Sequence, residues 1–483
     1  MIHWGILGAG NIAHRFAKSL SLHNECELTA FSCRNEEKAK AFIKAFPCQT
    51  YYAGGTCHDD LLNDPTIDAI YLCLPHGLHA EWAIKALNQG KAVLCEKPAV
   101  ISAEEMEAIK EAALKNQRLF VEGMKSRFLP CYRKVKELVK QGEIGRITRI
   151  DADQCRLMPQ ERLSTTYLLD SGQGGITLDT GCYCLTWLED FLDGDIVVKK
   201  VRASFQSGAD AYAKAWFEIG GIPATMEAGW DRTTPNAAVL HGERGEMDIT
   251  PVHRPTHISI KTIDGSQQEL ELPYDRDDFY SEIDEVVTLL NEGKIESEIM
   301  SLDDSIREAK LNDMVREQFH PSKKDIEVLF KQEQNLQYKQ FTNQDALALG
   351  NKVIELDAHY DRPISAAIYR EPEGLPVFLH LMDGKSKRNI EFMEGKRKVL
   401  LETGHSSLYA YLDHAVNGSS AKFFEQWPPY MPSGGAFPIH AAGEHVATLM
   451  VSGIHEGYDH DLIIEALSQL LETSTEPIAC AIQ

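Results

Sequence analysis

The chain has 483 residues, of which 43% are hydrophobic and 25% are charged, and its formal net charge is −23. This length predicts roughly two to four domains, because a single core rarely serves such a long chain. The negative charge argues against a nucleic-acid partner or an anionic membrane, since both require a basic surface. The 11 cysteines lack zinc-ribbon spacing, which favours a reducing compartment and no metal site.

The first residues and the apolar segments favour a cytoplasmic protein. A strand-like apolar run begins at Ile2, without the cationic and long apolar regions of a signal peptide. No apolar run reaches about 18 residues, so we expect neither a transmembrane helix nor a membrane partner.

Residues 1–122 alternate short apolar runs with helical patterns. This alternation predicts a doubly wound parallel sheet with helices on both faces, the Rossmann dinucleotide-binding arrangement. The predicted strands are His3–Leu7, Glu27–Ser32, Ala69–Leu74, Ala92–Cys95 and Leu119–Glu122. The predicted helices are Asn11–Leu20, Glu36–Ala45, Ala80–Asn88 and one that starts near Ala103, capped by Ser102 and Glu105.

A glycine-rich loop joins the first predicted strand to the first helix. Its sequence has the form G-x-G-x-x-A, in which the first glycine allows a tight turn and the second lets a diphosphate approach the backbone. The third position is small, so the helix packs on the strand, and the helix start offers N–H groups to the phosphates. The predicted cofactor contacts in this loop are Gly8, Gly10, Asn11, Ile12 and Ala13.

The end of the second strand bears on the choice between NADP and NAD. An acidic residue at this position would hydrogen-bond the adenosine ribose and favour NAD. Here the strand runs into Arg34, which can pair with a 2′-phosphate or stack on adenine. We therefore predict NADP as the cofactor, with NAD as the alternative. The alternative for Arg34 is a solvated surface side chain that binds no ligand.

The alternation of apolar and polar residues over 123–322 predicts an α+β domain for substrate binding and oligomerisation, with one open sheet of antiparallel strands. The predicted strands are Ile147–Cys155, Val197–Gln206, Ala211–Ile219, Thr225–Trp230, Ala237–His241 and His257–Ile263. The predicted helices are Tyr132–Gln141, Asp277–Leu290 and Ser301–Glu317, and a boundary is expected near residues 318–335.

Four segments occur in an order that resembles one oxidoreductase family. After the glycine loop, Leu74–His79 and Cys95–Pro98 follow successive predicted strands, and Gly174–Tyr183 lies further along the chain. Together they resemble the Gfo/Idh/MocA family over residues 1 to about 320. The closest resemblance is to its dihydrodiol dehydrogenase-like branch, through Val121–Met124 and Arg127–Pro130.

This resemblance implies roles for individual residues. Lys97 matches the lysine that lies beside the nicotinamide and the substrate oxygen, and Pro98 matches a proline preceded by a cis bond. Asp179 and Tyr183 match the acidic and final positions of the second motif, so Lys97, Tyr183 and Asp179 are the expected catalytic residues. The further cofactor contacts that it implies are Leu74, Pro75, His76, His79, Glu96 and Lys97.

Hydride transfer to a carbonyl needs a proton donor, and the reverse reaction needs a base. Tyr183 would donate the proton with a pKa lowered by Lys97, or Lys97 would polarise the oxygen directly. Asp179 and Tyr183 lie on one face if they share a helix. His76 and His79 remain alternative general acids.

Residues 328–483 carry a different pattern of strands at Ile364–Tyr369, Val377–Leu381 and Val446–Ser452, with helices at Asp345–Ala358, Ile390–Thr403 and Asp459–Leu471. Gly404–Ser407 and Gly434–Ile439, with flanking segments in the same order, resemble the haem-degrading HbpS/GlcG-like family. That resemblance implies an α/β domain with an antiparallel sheet, whose members commonly oligomerise. Haem would need an axial ligand, for which the available histidines are His405, His440, His445, His455 and His460. A small-ligand or oligomerisation module is the other interpretation.

The fold class is therefore α/β, and the function predicted first is NADP-dependent hydride transfer to or from a sugar, polyol or cyclic diol. NAD use with an inositol-like substrate is an alternative within the enzyme class. A nucleotide-sensing binding protein without turnover is the alternative outside it. Arg127 is the predicted ligand of an anionic substrate group, with a surface salt bridge as its other role. The expected partners are a small molecule and further copies of the chain.

Overall fold

The computed structural model describes residues 1–163, 166–360, 362–419, 421–426, 429–454 and 457–481. Met1–Val198 and Phe205–Arg316 form one compact unit, and Lys199–Ser204 and Glu317–Gln483 form a second one. The expected division into three domains stays a prediction. Within the described residues, no helix is long and apolar enough to cross a membrane.

The first unit begins with a parallel sheet of six strands in the order β3-β2-β1-β4-β5-β6. Its strands are β1 Ile2–Leu7, β2 Cys26–Cys33, β3 Thr50–Ala53, β4 Ala69–Leu72, β5 Ala92–Glu96 and β6 Phe120–Gly123. Its helices are α1 Asn11–Leu20, α2 Glu36–Ala45, α3 Cys57–Leu62, α4 His79–Asn88 and α5 Ala103–Asn116. The predicted Rossmann arrangement is thereby confirmed, and β3 and α3 are additions that the sequence pattern did not indicate.

Alternating side chains of this sheet fill two separate cores. On one face, Trp4 and Ile6 pack with Phe16 of α1. On the other face, Leu7 and Ile70 pack with residues of α4 and α5. Both faces are thus apolar, which explains why strands β1 and β4 consist of nearly continuous apolar residues. The strand order reverses between β1 and β4, and such switch points open a crevice at the carboxyl ends of the strands.

A second sheet has eight strands in the order β14-β13-β12-β11-β7-β10-β9-β8. The helices are α6 Lys125–Phe128, α7 Pro130–Gln141, α8 Gln160–Leu163, α9 Cys182–Phe191, α10 Tyr280–Glu292 and α11 Leu302–Glu317. The strands are β7 Ile147–Cys155, β8 Ile196–Gln206, β9 Ala209–Ile219, β10 Ile222–Gly229, β11 Ala238–Gly242, β12 Gly245–Thr250, β13 His257–Thr262 and β14 Gln267–Glu271. The sheet is mixed instead of antiparallel throughout, because β7 and β10 pair in parallel.

The second unit contains an antiparallel sheet in the order β16-β15-β18-β17. Its strands are β15 Ser365–Arg370, β16 Leu375–Leu381, β17 Ala436–Ala441 and β18 Glu444–Ser452. Its helices are α12 Lys323–Asn335, α13 Asn343–Leu356, α14 Lys387–Thr403, α15 Ser407–Asn417, α16 Ala421–Glu425 and α17 Tyr458–Leu471. Apolar clusters lie on both faces of this sheet. Helix α12 occupies most of residues 318–335, where the sequence predicts a domain boundary, and a Ser322–Asp325 capping box stabilises its start. The boundary itself stays a prediction.

Gly350 of α13 provides a test of the packing in the second unit. A Cβ at this position would lie 2.5 Å from two atoms of the Phe378 ring on β16. Replacing a helical glycine by alanine normally gains roughly 1 kcal/mol, but overpacking costs about 1–3 kcal/mol. We expect Gly350→Ala to lower the calorimetric melting temperature of the full chain. The exposed Asn351→Ala on the same helix should leave that temperature unchanged or raise it, and equal effects of both changes would contradict the packing described here.

Candidate functional site

A cleft of about 860 Å³ opens at the carboxyl ends of the parallel strands in the first unit. Its size is that of a cofactor site. Most of the residues that the sequence analysis singled out line it, and these are Gly8, Gly10, Asn11, Ile12, Arg34, Leu74, Pro75, His76, His79, Glu96, Lys97 and Asp179. The structure adds Ala9, Cys33, Asn35, Lys38, His58, Cys73 and Tyr167 to the lining.

The glycine-rich loop has the geometry that a diphosphate requires. Gly8 adopts a φ of +113°, and a Cβ there would lie 3.1 Å from the Cys73 carbonyl oxygen. Gly10 is the N-cap of α1, and a Cβ added to it would meet no atom within 4 Å. The second glycine thus borders open space in the cleft, where a phosphate can reach the N–H groups of the helix start. Ala13 is fully buried against the sheet and does not line the cleft.

A positively charged corner lies where β2 ends. The exposed Arg34 follows the strand, and Lys38 lies in the first turn of α2, so both side chains border the cleft. The Asn35 side chain caps α2 by accepting a hydrogen bond from the Lys38 backbone N–H. No sequence motif indicated Lys38, although its position four residues after Arg34 was the available signal.

Lys97 and Asp179 form a partly buried ion pair in the lining of the cleft. The Lys97 Nζ lies 3.3 Å from Asp179 Oδ1 and also donates to the Asp179 carbonyl oxygen. Burial lowers the pKa of Lys97, but Asp179, Cys182, Tyr183 and Glu96 together outweigh burial, so the pKa lies well above the usual value. Burial would raise the pKa of Asp179, but Lys97 and His76 keep it below the usual value. Both groups are therefore charged at neutral pH.

Backbone features place these two side chains next to each other. Lys97 follows β5 and precedes Pro98 through a cis peptide bond, as the family resemblance implied. Asp179 lies in a π-helical turn, Thr177–Gly181, which runs directly into α9. At the base of this turn, the buried Asp210 accepts hydrogen bonds from the backbone N–H and the hydroxyl of Thr177.

Tyr183 is buried in the first turn of α9, and its electrostatics differ from the expectation. The Lys97 Nζ lies 5.0 Å from the centre of the Tyr183 ring. Burial raises the pKa of Tyr183 far above its usual value, and the opposing effect of Lys97 is smaller. The expectation of a lowered pKa is therefore wrong. Tyr183 also does not belong to the lining of the cleft.

His76 and His79 both line the cleft but have different surroundings. Burial, with a contribution from Lys97, lowers the pKa of His76 to about 3, and its Nδ1 has no partner among the described residues. The His79 ring lies between two carbonyl oxygens, 2.8 Å from that of Pro98 and 2.7 Å from that of Leu74. His76 is thus a neutral group that faces the cleft, whereas His79 links the ends of β4 and β5.

Tyr167 forms an aromatic part of the cleft lining, and no sequence motif indicated it. Its ring packs edge-on against His76, with the ring centres 5.0 Å apart. It belongs to a short 3₁₀ turn, Tyr167–Leu169, that precedes the glycine-rich segment at Gly174. No periodic pattern in the sequence indicates this turn.

The structure corrects the expectation for Arg127, which does not line the cleft. Its side chain is fully buried and donates to Glu189 and to the Thr186 hydroxyl. Asp190 and Asp304 lie within 3.6 Å and 3.3 Å of the guanidinium. These contacts occupy the donors of Arg127, so it holds α6 and α9 together instead of binding a substrate.

The histidines of the second unit have protein contacts of their own. His405 Nδ1 lies 2.7 Å from a Glu333 carboxylate oxygen, His445 contacts Thr448, and the buried His460 contacts Gln332. The His440 ring packs against His445, and His455 lies outside the described residues. No group of three or more His, Cys, Asp or Glu side chains suited to a metal occurs in the part of the chain that the structure describes.

Three family models match this chain. Residues 2–124 match the model described as "Oxidoreductase family, NAD-binding Rossmann fold" (GFO_IDH_MocA), and residues 132–248 match the GFO/IDH/MocA C-terminal domain. Residues 341–468 match the model described as "Haem degrading protein HbpS-like".

Individual relatives cover about two thirds of the chain. The scyllo-inositol 2-dehydrogenase (NADP(+)) of Bacillus subtilis is 29% identical over 323 residues, which are 66% of this chain and 97% of the relative. The trans-1,2-dihydrobenzene-1,2-diol dehydrogenase of Xenopus tropicalis is 28% identical over 330 residues, which are 65% of this chain and 97% of that relative. The crystal structure of the 3-ketoreductase KijD10 from Actinomadura kijaniata, in complex with NADP and TDP-benzene, matches with a TM-score of 0.59 and 26% identity. This match covers 65% of this chain and 97% of KijD10.

The buried position of Arg127 predicts a stability defect for Arg127→Met. Removing one partner of a buried ion pair costs about 3–5 kcal/mol, because the remaining carboxylates lose their counter-charge. The free energy of unfolding from urea titration should fall by that amount. Arg146→Met removes the exposed pair with Glu243, and it should cost less than about 1 kcal/mol. A change in substrate KM without a change in stability would instead support substrate binding by Arg127.

Proposed function

Because residues 2–124 and 132–248 belong to the Gfo/Idh/MocA oxidoreductase family, we propose that the chain transfers hydride between NADP(H) and a carbon of a sugar, polyol or cyclic diol. The observation that carries this proposal is the Lys97–Asp179 pair in the same cleft as the glycine-rich loop. The relatives named above are dehydrogenases and a ketoreductase, and this supports a reaction at a CH–OH or C=O carbon.

The lining of the cleft fits a dinucleotide. The open space beside Gly10 accommodates a diphosphate at the helix start, and Arg34 and Lys38 offer two positive charges to a 2′-phosphate. The cofactor, when bound, supplies or accepts the hydride. Lys97, which belongs to the same lining, would face the redox ring and the oxygen of the substrate.

The charge state of the side chains defines their proposed roles. The ammonium of Lys97, held by Asp179, would stabilise negative charge on the substrate oxygen. Tyr183 carries its proton at neutral pH, because burial raises its pKa. It would donate this proton when the hydroxyl reaches the substrate oxygen. Neutral His76 and Tyr167, which also line the cleft, would contact the substrate.

The decisive experiment is an NADPH oxidation and NADP reduction assay with a panel of diols, inositols, aldoses and their oxidised forms. Turnover with any member supports the proposal. Saturable nucleotide binding without turnover across the panel would instead support a nucleotide-sensing protein. Absence of any nucleotide binding in calorimetry would overturn both functions.

Lys97→Met should abolish turnover while the cleft keeps its nucleotide. We expect kcat to fall by at least about 100-fold, because the positive charge beside the developing oxyanion is lost. The Kd for NADP, measured by calorimetry, should change little. Lys115→Met, an exposed lysine of α5, is the control and should behave like the unchanged protein. Full activity of Lys97→Met would reject Lys97 as a catalytic residue.

The preference for NADP should depend on the corner formed by Arg34 and Lys38. The double change Arg34→Ser and Lys38→Ser removes both charges, and we expect the KM for NADP to rise by about 10-fold or more. The KM for NAD should stay nearly constant, since NAD lacks the 2′-phosphate. Lys40→Ser on the same helix, whose amine pairs with Glu36 and Glu37, is the matched control. A parallel rise in both KM values would contradict a contact to the 2′-phosphate.

The expected pH dependence of kcat/KM follows from the shifted pKa values of four side chains near the cleft. The pKa of His76 is lowered to about 3, that of Asp179 is also lowered, and those of Lys97 and Tyr183 are raised. None of these groups changes charge near neutrality, so kcat/KM for carbonyl reduction should be constant between about pH 6 and pH 9. A bell-shaped profile centred near neutral pH would assign the proton transfer to another group.

For the second unit, we propose a small-ligand or oligomerisation module, supported by its HbpS-like match. Haem is one ligand to test, by titration of the full chain with hemin. A Soret band that saturates at one equivalent and is lost in one histidine variant would support haem binding. Light scattering at several protein concentrations tests the expected homo-oligomer.

A further inference from the structure

Asp210 is a buried acid on β9 to which the proposed reaction assigns no role. Its exposed fraction is 5%, and it does not belong to the described lining of the cofactor cleft. Its Oδ2 accepts a hydrogen bond of 2.8 Å from the Thr177 N–H and a second one from the Thr177 hydroxyl. A single oxygen atom of the sheet thus binds two donors of the residue that begins the π turn.

Gly175 allows Asp210 to approach this closely. Its φ is +101°, and a Cβ at this position would lie 1.9 Å from Asp210 Oδ1. The Gly175 carbonyl oxygen accepts from the Asp179 N–H at 3.0 Å, and the Gly175 N–H donates to the Leu168 carbonyl oxygen at 2.8 Å. Gly175 therefore joins Asp210 to two parts of the cleft lining, the turn that carries Asp179 and the turn that carries Tyr167.

The π turn is the part of this arrangement that needs an external anchor. Its hydrogen bonds close over one residue more than those of an α-helix, and such turns are rare and occur mostly at functional sites. Each residue of an α-helix rotates the chain by about 100°, so a return to α-helical winding would turn Asp179 away from Lys97. Helix α9 continues the turn from Cys182, and Thr177 begins it. Asp210 therefore holds the end of the turn that α9 does not.

We propose that Asp210 is a positioning residue that keeps the π turn in the winding that brings Asp179 to Lys97. It acts through Thr177 and Gly175. Its importance for turnover rests on the proposed function, in which the Lys97 ammonium faces the substrate oxygen. The role requires an oxygen that accepts two hydrogen bonds and does not depend on the charge of Asp210.

The direct test is the titration of the Lys97 amine, followed by NMR of the full chain with lysine labelled with carbon-13 at Cε. The Lys97→Met variant identifies the signal. In the unchanged chain, the Lys97 signal should stay constant up to about pH 10. In Asp210→Ala, Asp179 no longer offsets burial, so the signal should titrate below about pH 10. Three further groups that raise the pKa of Lys97 are unchanged in this variant, namely Glu96, Cys182 and Tyr183. A constant Lys97 signal in Asp210→Ala would overturn the proposal.

Two control variants separate positioning from a general loss of stability. Asp151 of β7 accepts a hydrogen bond of 2.6 Å from the Thr225 hydroxyl of β10, which is the same kind of contact in the same sheet. Asp151→Ala should lower the Tm and leave the Lys97 titration unchanged. Asp210→Asn keeps an oxygen acceptor for Thr177, so it should behave like the unchanged chain. A shifted Lys97 titration in either control variant would reduce the effect to stability and contradict positioning by Asp210.

Turnover provides a second readout. In Asp210→Ala, kcat should fall by roughly 10- to 100-fold, because a small displacement of a reacting group is costly, while the calorimetric Kd for NADP stays nearly constant. If Asp210→Ala does not fold, Thr177→Val takes its place, since it removes the hydroxyl donor and keeps the side-chain shape. It should shift the Lys97 titration in the same direction by a smaller amount. If the unchanged chain turns over no substrate, the proposed function fails, and the Lys97 titration still decides the role of Asp210.

Discussion

The cleft of the first unit depends on one partly buried ion pair, between Lys97 and Asp179. Lys97 stands at the end of β5 and Asp179 in the π turn before α9, so their contact joins the parallel sheet to a helix that packs on the second sheet. The pair is compatible with burial because each charge supplies the counter-charge of the other. Asp179 therefore fixes both the position and the charge of the amine that points into the cleft.

The sequence predicted the parts of this architecture that rest on strong periodicity. The apolar runs of β1, β2, β4 and β5, the glycine loop and the motif lysine lie where expected, since each is dictated by local sequence. Strands β3, β12 and β14 were missed because they are short or polar. The parallel pairing of β7 with β10 depends on contacts distant in the chain, which no local pattern contains.

The burial and orientation of individual side chains also could not be predicted from local sequence. Arg127 and Glu308 look like solvent-exposed charges in the sequence, yet both are buried. Lys38 and Tyr167 reach the cleft only because a helix start and a 3₁₀ turn orient them. Sequence motifs thus indicated residues that line the cleft, whereas the other walls of the cleft and the electrostatics around it depend on the packed tertiary structure.

The position of His79 has a consequence for the two loops that it contacts. Its ring contacts the carbonyl oxygens of Leu74 and Pro98 together, but a neutral imidazole has one N–H and donates to one acceptor at a time. One of the two contacts is therefore a hydrogen bond, and at the other an unprotonated ring nitrogen faces a carbonyl oxygen. The tautomer of His79 thereby decides whether the loop after β4 or the loop after β5 is held by a hydrogen bond.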